Sequence, residues 1–242
     1  WSGYDGTDYY LDQDGESAIC RTPTGAPWKE LWDEGWRPSY PCCLGVEKTR
    51  QIASDFIQTM ISLGLDWIQF LDQNCGCATF PCFGGELHGH DPVPGKWMTD
   101  KMRLLIDEFH RLGENETRRT DGDRRFAFSV EMAINEIYLQ ECQVCDIRVL
   151  PAGHTFPGLD NFIPLYHFLY HEFILSQGGF GSGPEPYHMP IRNAYNWVVG
   201  EIPGGVLIGD GSLLNKDTIN WAPWENPVGS NEDSLRMLRV TT

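Results

Sequence analysis

Four carboxylates stand where an apolar run gives way to a polar loop. They are Asp72 after residues 65–71, Glu131 after 126–130, Glu172 after 163–171 and Asp210 after 206–209. One such aspartate commonly does no more than cap a turn, and an acid opening a helix is favoured by the helix dipole. Four, with histidine and aromatic neighbours, exceed what chance supplies. Paired carboxylates cleave a glycosidic bond: one protonates the leaving oxygen, the other attacks the anomeric carbon or activates water. Crowding keeps one protonated and leaves the other ionised, which separates the two roles. Asp72, short-armed at its strand end, is the expected nucleophile and Glu131 the expected acid/base. The two roles can be exchanged, and Glu172 can replace either.

Groups suited to holding a sugar lie close to these acids. His88 and His90 flank Gly89 in the loop beyond Asp72, and His171 adjoins Glu172. Trp97, at a loop-to-helix junction, offers a ring for a sugar to stack on, and Asp210 completes the set of expected substrate-binding residues. His-x-His can also chelate a metal, but the preferred reading is hydroxyl binding or orientation of Asp72, with no metal and no cofactor. Trp67 reads as core. The glycine-rich stretch 178–183 lacks the Lys-Ser/Thr of a phosphate loop and reads as a loop over the site. The eight cysteines allow a split zinc site from Cys75/Cys77 and Cys142/Cys145, but that spacing is not a usual knuckle. Buried thiols or a disulfide or two are the preferred reading.

Elements that could position these groups alternate along the chain. Apolar residues at helical spacing predict a helix over 46–63 stopped by Gly64, and a second from Gly95 stopped by Gly113, with 114–125 a charged connection. Strands are predicted at 65–72, 126–131, 146–150, 163–172 and 206–210, with one more strand near 39–44. Further helices are predicted from Ile134 through Leu139, over 187–200 and over 230–240. Alternating strand and helix means a mainly parallel sheet under helices, and in a barrel the strand ends converge on one mouth. The fold class is therefore α/β, a (β/α)8 TIM-type barrel that this chain need not complete. Residues 1–45, rich in Gly, Pro and scattered aromatics, read as an irregular extension, and 46–242 as the barrel domain.

With 34 acidic and 18 basic residues in 242, the formal charge of −16 argues against nucleic acid and anionic membranes as partners. It leaves a neutral oligo- or polysaccharide as the expected partner. No apolar run reaches the ~20 residues of a membrane span. The chain opens at Trp1, without a signal peptide or Met, which fits a processed protein or a piece of a longer one. An even cysteine number and the sequon at Asn115 go with an extracellular or periplasmic setting but do not fix it. The oligomeric state is left open.

Several motifs resemble an uncharacterised bacterial family of glycoside-hydrolase-like TIM-barrel proteins. They are Leu71-Asp72-Gln73 with the cysteine loop, Gly89-His90, Lys96-Trp97-Met98, Ser129-Val130-Glu131 with Glu136, Tyr170-His171-Glu172, and Gly200-Glu201-Ile202-Pro203. They run in order from about Thr49 to Gly211. The resemblance implies a barrel of the glycosidase superfamily within a longer polypeptide, and it names no substrate. The expected activity is that of a retaining glycoside hydrolase. Two alternatives stand beside it: a carbohydrate-binding barrel without chemistry, and a metal-dependent hydrolase using the His88/His90 loop.

Overall fold

The helix predicted before the first barrel strand forms as α1, Glu47–Ser62, because Ala53, Ile57 and Ile61 recur every fourth residue and are buried on one face. Gly64 ends it at φ +95°. The Gly64 N–H bonds to the Ile61 carbonyl (3.0 Å) and the Leu65 N–H to that of Met60 (3.2 Å), closing the last turn. The computed structural model describes residues 2–4, 14–33, 37–71, 75, 80–131, 133–147, 164–178 and 197–202.

After α1 come β4 (Trp67–Gln69), α2 (Lys96–Arg119), β5 (Ala127–Glu131), β6 (Val144–Ile147), α3 (Leu165–Tyr170) and β7 (Leu175–Gly178). The four strands pair in parallel, in the order β4-β5-β6-β7. The Ile202 N–H donates to the Ser176 carbonyl at 2.7 Å, so the chain comes back alongside β7. This is an α/β fold with a parallel sheet and helices. One sheet face carries Ile68, Phe128, Val130 and Cys145, all buried, against Ile57, Ile61, Ile106 and Phe109 of the helices. Phe109 sits 5.2 Å from Phe128 and 5.4 Å from Phe70, ring centre to ring centre. Each such side chain, fully buried, is worth about 1.5–3 kcal/mol. The alternate residues Trp67, Gln69, Ser129 and Glu131 belong to the other face.

Several elements differ from the sequence reading. Helix α2 runs through Gly113 to Arg119. A Cβ there would lie 2.9 Å from that of Phe126, so this glycine lets the helix settle on the strand and is not a stop. The turn falls at Asp121 and Gly122, both at positive φ. Residues 163–172, read as a strand, contain helix α3, and the strand begins only at Leu175. The alternation of Tyr166, Phe168 and Tyr170 mimics a strand, yet Tyr166 and Tyr170 meet on one helical face at 5.0 Å. The helix expected across 134–139 is a single tight turn, Glu136–Tyr138, where the Asn135 side chain accepts from the Ile137 N–H. Trp67, read as core, is 46% exposed.

The amino-terminal region is also more ordered than read. β1 (Ser2–Tyr4), β2 (Glu30–Asp33) and β3 (Arg37–Pro41) form an antiparallel sheet in the order β1-β3-β2. These strands are short and hold proline and charge, so pairing rather than pattern defines them. The strand expected at 206–210, the helix at 230–240 and the glycine loop beyond Gly178 lie outside the described residues. So does the helix at 187–200 apart from a helical turn at 197–199.

At the amino edge of the sheet, Arg124 ties together the chain segments that lead into β4 and β5. Its guanidinium donates to the carbonyls of Ile61 (3.2 Å) and Leu65 (3.0 Å), and to the carboxylates of Asp66 (2.7 Å) and Glu116 (2.8 Å).

Candidate active site

Strand register decides which acids share an edge. Glu131, the last residue of β5, is level with Asp146 of β6, which is level with Gln177 of β7. This row is the carboxyl edge, the side that carries chemistry in parallel α/β sheets. Glu131 is half-buried on the face opposite the helices, two residues past Ser129. The Trp67 indole N–H donates to the Ser129 hydroxyl at 2.8 Å, joining β4 and β5 across that face.

Glu172 and His171 are not at this edge. They occupy an exposed turn after α3 and before Leu175, and Leu175 is itself level with Val144 and Ser129. That puts them at the amino edge, away from Glu131. The assignment of Glu172 as a strand-end acid is therefore corrected: a helix replaces the strand that would have ended on it. The His171 Nδ1–H donates to the His167 carbonyl at 2.8 Å. His167 in turn pairs with Glu201, both buried. Asp72 and Asp210 lie outside the described residues.

His88, His90 and Trp97 come together between β4 and α2, with three cysteines that the sequence reading did not connect to them. Cys82 lies in a segment without regular secondary structure, 84–85 are glycines, and a tight turn Gly85–His88 leads to Gly89 at φ +68°. His88 is 4% exposed, with Nδ1 3.2 Å from the Cys82 sulfur. That sulfur also accepts the backbone N–H groups of Arg21 and Gly84, each at 3.4 Å. The Cys20 and Cys43 thiols reach it as well, and together these bonds pull the Cys82 thiol far below its ordinary pKa, while the donating Cys20 is pushed up. His90 stacks on Trp97 at 3.6 Å and 7°, and the Trp97 indole N–H donates to the Val93 carbonyl at 2.8 Å. One face of Trp97 is thus taken by an imidazole.

The ligand atoms of Cys43, Cys82, His88 and His90 all lie within 4.8 Å of one another. Their sequence signal was Cys82-x5-His88-x-His90; Cys20 and Cys43 join only through folding. Of the zinc site considered from the other cysteines, Cys77 lies outside the described residues. Cys75 meets Cys142, which pushes the Cys75 thiol up, and Cys145 is pushed up to about 11 by burial, its sulfur facing Ser176. Among the described residues, neither arrangement forms a metal-ligating group with a histidine or carboxylate. Cys20, Cys43, Cys75, Cys82, Cys142 and Cys145 carry free thiols.

Between the thiols and the core is an apolar cavity of about 40 Å³, lined by Phe70, Leu71, Trp97, Met102 and Tyr138 among others. Ligand sites are commonly about 300 Å³ or more, so this space is too small for a sugar ring.

No protein-family model matches the chain, and no curated protein is similar to it in sequence. Its structure is similar to that of an α-galactosidase from Thermus thermophilus solved in complex with stachyose, with a TM-score of 0.56 and 15% identity. The match covers 90% of this chain and 46% of that one, so the chain spans about half the length of its structural neighbour. Among the described residues no helix is long and apolar enough to cross a membrane.

Proposed function

We propose that this chain is a glycoside hydrolase of the TIM-barrel type. It works at the carboxyl edge of its parallel sheet, with Asp72 and Glu131 as the reacting pair. One observation carries the reading. Glu131 ends β5 on the face away from the helices, beside the Trp67–Ser129 pair, in a fold similar to that of an α-galactosidase. In a closed barrel that face is the interior and that edge the mouth. Asp72 follows β4 by three residues, and β4 pairs directly with β5.

Asp72 attacks the anomeric carbon while Glu131 protonates the departing oxygen. Glu131 then takes a proton from water as that water releases the sugar from Asp72, with net retention. This requires the two carboxyls to stand about 5–5.5 Å apart. The half-exposed Trp67 supplies an apolar ring face for the sugar. The neighbour's bound stachyose makes α-galactosides the first substrates to try. Localisation outside the cytoplasm is part of the same proposal, since such glycans are met there.

The experiment is hydrolysis of aryl α-galactosides, stachyose and a panel of plant polysaccharides by the wild type, Asp72→Asn and Glu131→Gln. Cleavage by the wild type, lost in both folded variants, supports the reading. A wild type that binds glycans and cleaves none would make the chain a carbohydrate-binding barrel. Full activity in both variants would move the chemistry elsewhere.

A further inference from the structure

We propose that Cys43, Cys82, His88 and His90 hold a zinc ion that ties the amino-terminal segment to the loop between β4 and α2. The inference stands apart from the glycosidase reading. Four donors drawn from two distant stretches converge within 4.8 Å of one another. In a tetrahedral zinc site, metal–ligand bonds of about 2.0–2.3 Å put neighbouring donors roughly 3.3–3.8 Å apart. The His88 Nδ1 to Cys82 Sγ distance is already 3.2 Å, and the widest pair, at no more than 4.8 Å, has to close by about 1 Å to reach a bound geometry.

The imidazole of His90 is set up for a metal. Its Nδ1–H donates to the Asp91 carbonyl at 2.6 Å, leaving the lone pair on Nε2. That Nε2 is buried and has no hydrogen-bond partner. A backbone carbonyl on one ring nitrogen and a metal on the other is how ligating histidines are usually oriented. The ring is held flat by Trp97 and lies edge-to-face with His88, centroids 5.9 Å apart.

Two glycines make room for these rings. A Cβ on Gly84 would come within 2.6 Å of the His88 ring. One on Gly45 would come within 2.4 Å of the His90 ring, 2.7 Å of the His88 carbonyl and 3.3 Å of the Cys43 sulfur. The sulfur of Cys82 accepts two backbone N–H groups, the environment of a metal thiolate.

Donor chemistry selects the ion. Two soft thiolates and two imidazoles in tetrahedral array suit zinc. Two thiolates also cancel the charge of Zn²⁺, so the loaded site is neutral, as a site with Cys43 at 1% and Cys82 at 0% exposure must be. Both sulfurs bind as thiolates, and any thiol proton still held at the site goes to solvent. Four protein ligands leave no open position for water, and Cys20 packs against both sulfurs, so the ion is structural and not hydrolytic.

The test uses the whole chain isolated from zinc-supplemented medium and dialysed. One zinc per chain by mass spectrometry is expected, with Cys43 and Cys82 protected from alkylation until a chelator is added. Replacement by Co²⁺ should give thiolate-to-cobalt charge transfer and tetrahedral ligand-field bands, a readout of the donor set that needs no variant. Cys82→Ser and His90→Ala should lose at least half of the bound metal, whereas Cys142→Ala keeps it. A dialysed protein without metal whose thiols are all alkylated would overturn the proposal. So would an intact mass lower by two hydrogens, marking a disulfide within the Cys20, Cys43 and Cys82 group.

Discussion

The corner around Cys82 and the sheet face around Glu131 are both polar, and they are built in opposite ways. At the corner, donors point inward at one another, glycines clear space for rings, and the sulfurs are withdrawn from solvent. At the sheet, Trp67, Gln69 and Glu131 lie on a face that the helices do not cover. A small ion satisfies the first arrangement, because its few donors need to agree only over a few ångströms. The second needs something the size of a sugar, and further strands to wall it in. Polar residues thus say what they bind by the room they leave as much as by their chemistry.

Variants can break or sharpen this contrast. The largest effect belongs to Glu131→Gln, which is expected to lower glycosidase activity about 10³-fold, roughly 4 kcal/mol of barrier. Bound zinc should stay unchanged, and kinetics with metal analysis on one preparation reads both. If activity and zinc fell together, the two regions would be one site. Next comes Phe109→Ala, which empties a fully buried position between Phe70 and Phe128. It should cost about 3–5 kcal/mol in urea unfolding without altering metal stoichiometry in the folded protein.

Gly84→Ala pushes a methyl into the His88 ring. A loss of about 1–3 kcal/mol and faster surrender of zinc to a chelator are expected, with little change in the catalytic constant. The smallest effect is that of Gly95→Ala, since no atom lies within 4 Å of its added Cβ and its φ of 178° suits any residue. It should stay within about 0.5 kcal/mol of wild type. A cost as large as that of Gly84→Ala would remove steric crowding as the reason for the difference.

What the sequence disclosed divides along the same line. α1, α2 and β5 were legible because local periodicity alone builds them: Ala53, Ile57 and Ile61 mark a helical stripe without reference to any other segment. Glu131 followed, being the residue on which an obvious strand stops. Glu172 misled because Tyr166, Phe168 and Tyr170 satisfy a two-residue and a helical period at once, and tertiary packing chose the helix. Gly113 misled because a glycine that permits close packing looks the same in sequence as one that ends a helix. The thiol cluster was least legible, since Cys20 and Cys43 acquire their neighbours only when distant segments fold together. Asp72 and Asp210 lie outside the described residues.

Arg124 gives the two edges of the sheet different evolutionary prospects. One guanidinium clasps the end of α1, the approach to β4 and the last turns of α2, all away from the carboxyl edge. Segments beyond Gln69 and Glu131 can therefore lengthen, shorten or change composition without loosening that clasp. Such a scaffold can accept new loops, and with them new specificities, while the hinge of its architecture stays inherited.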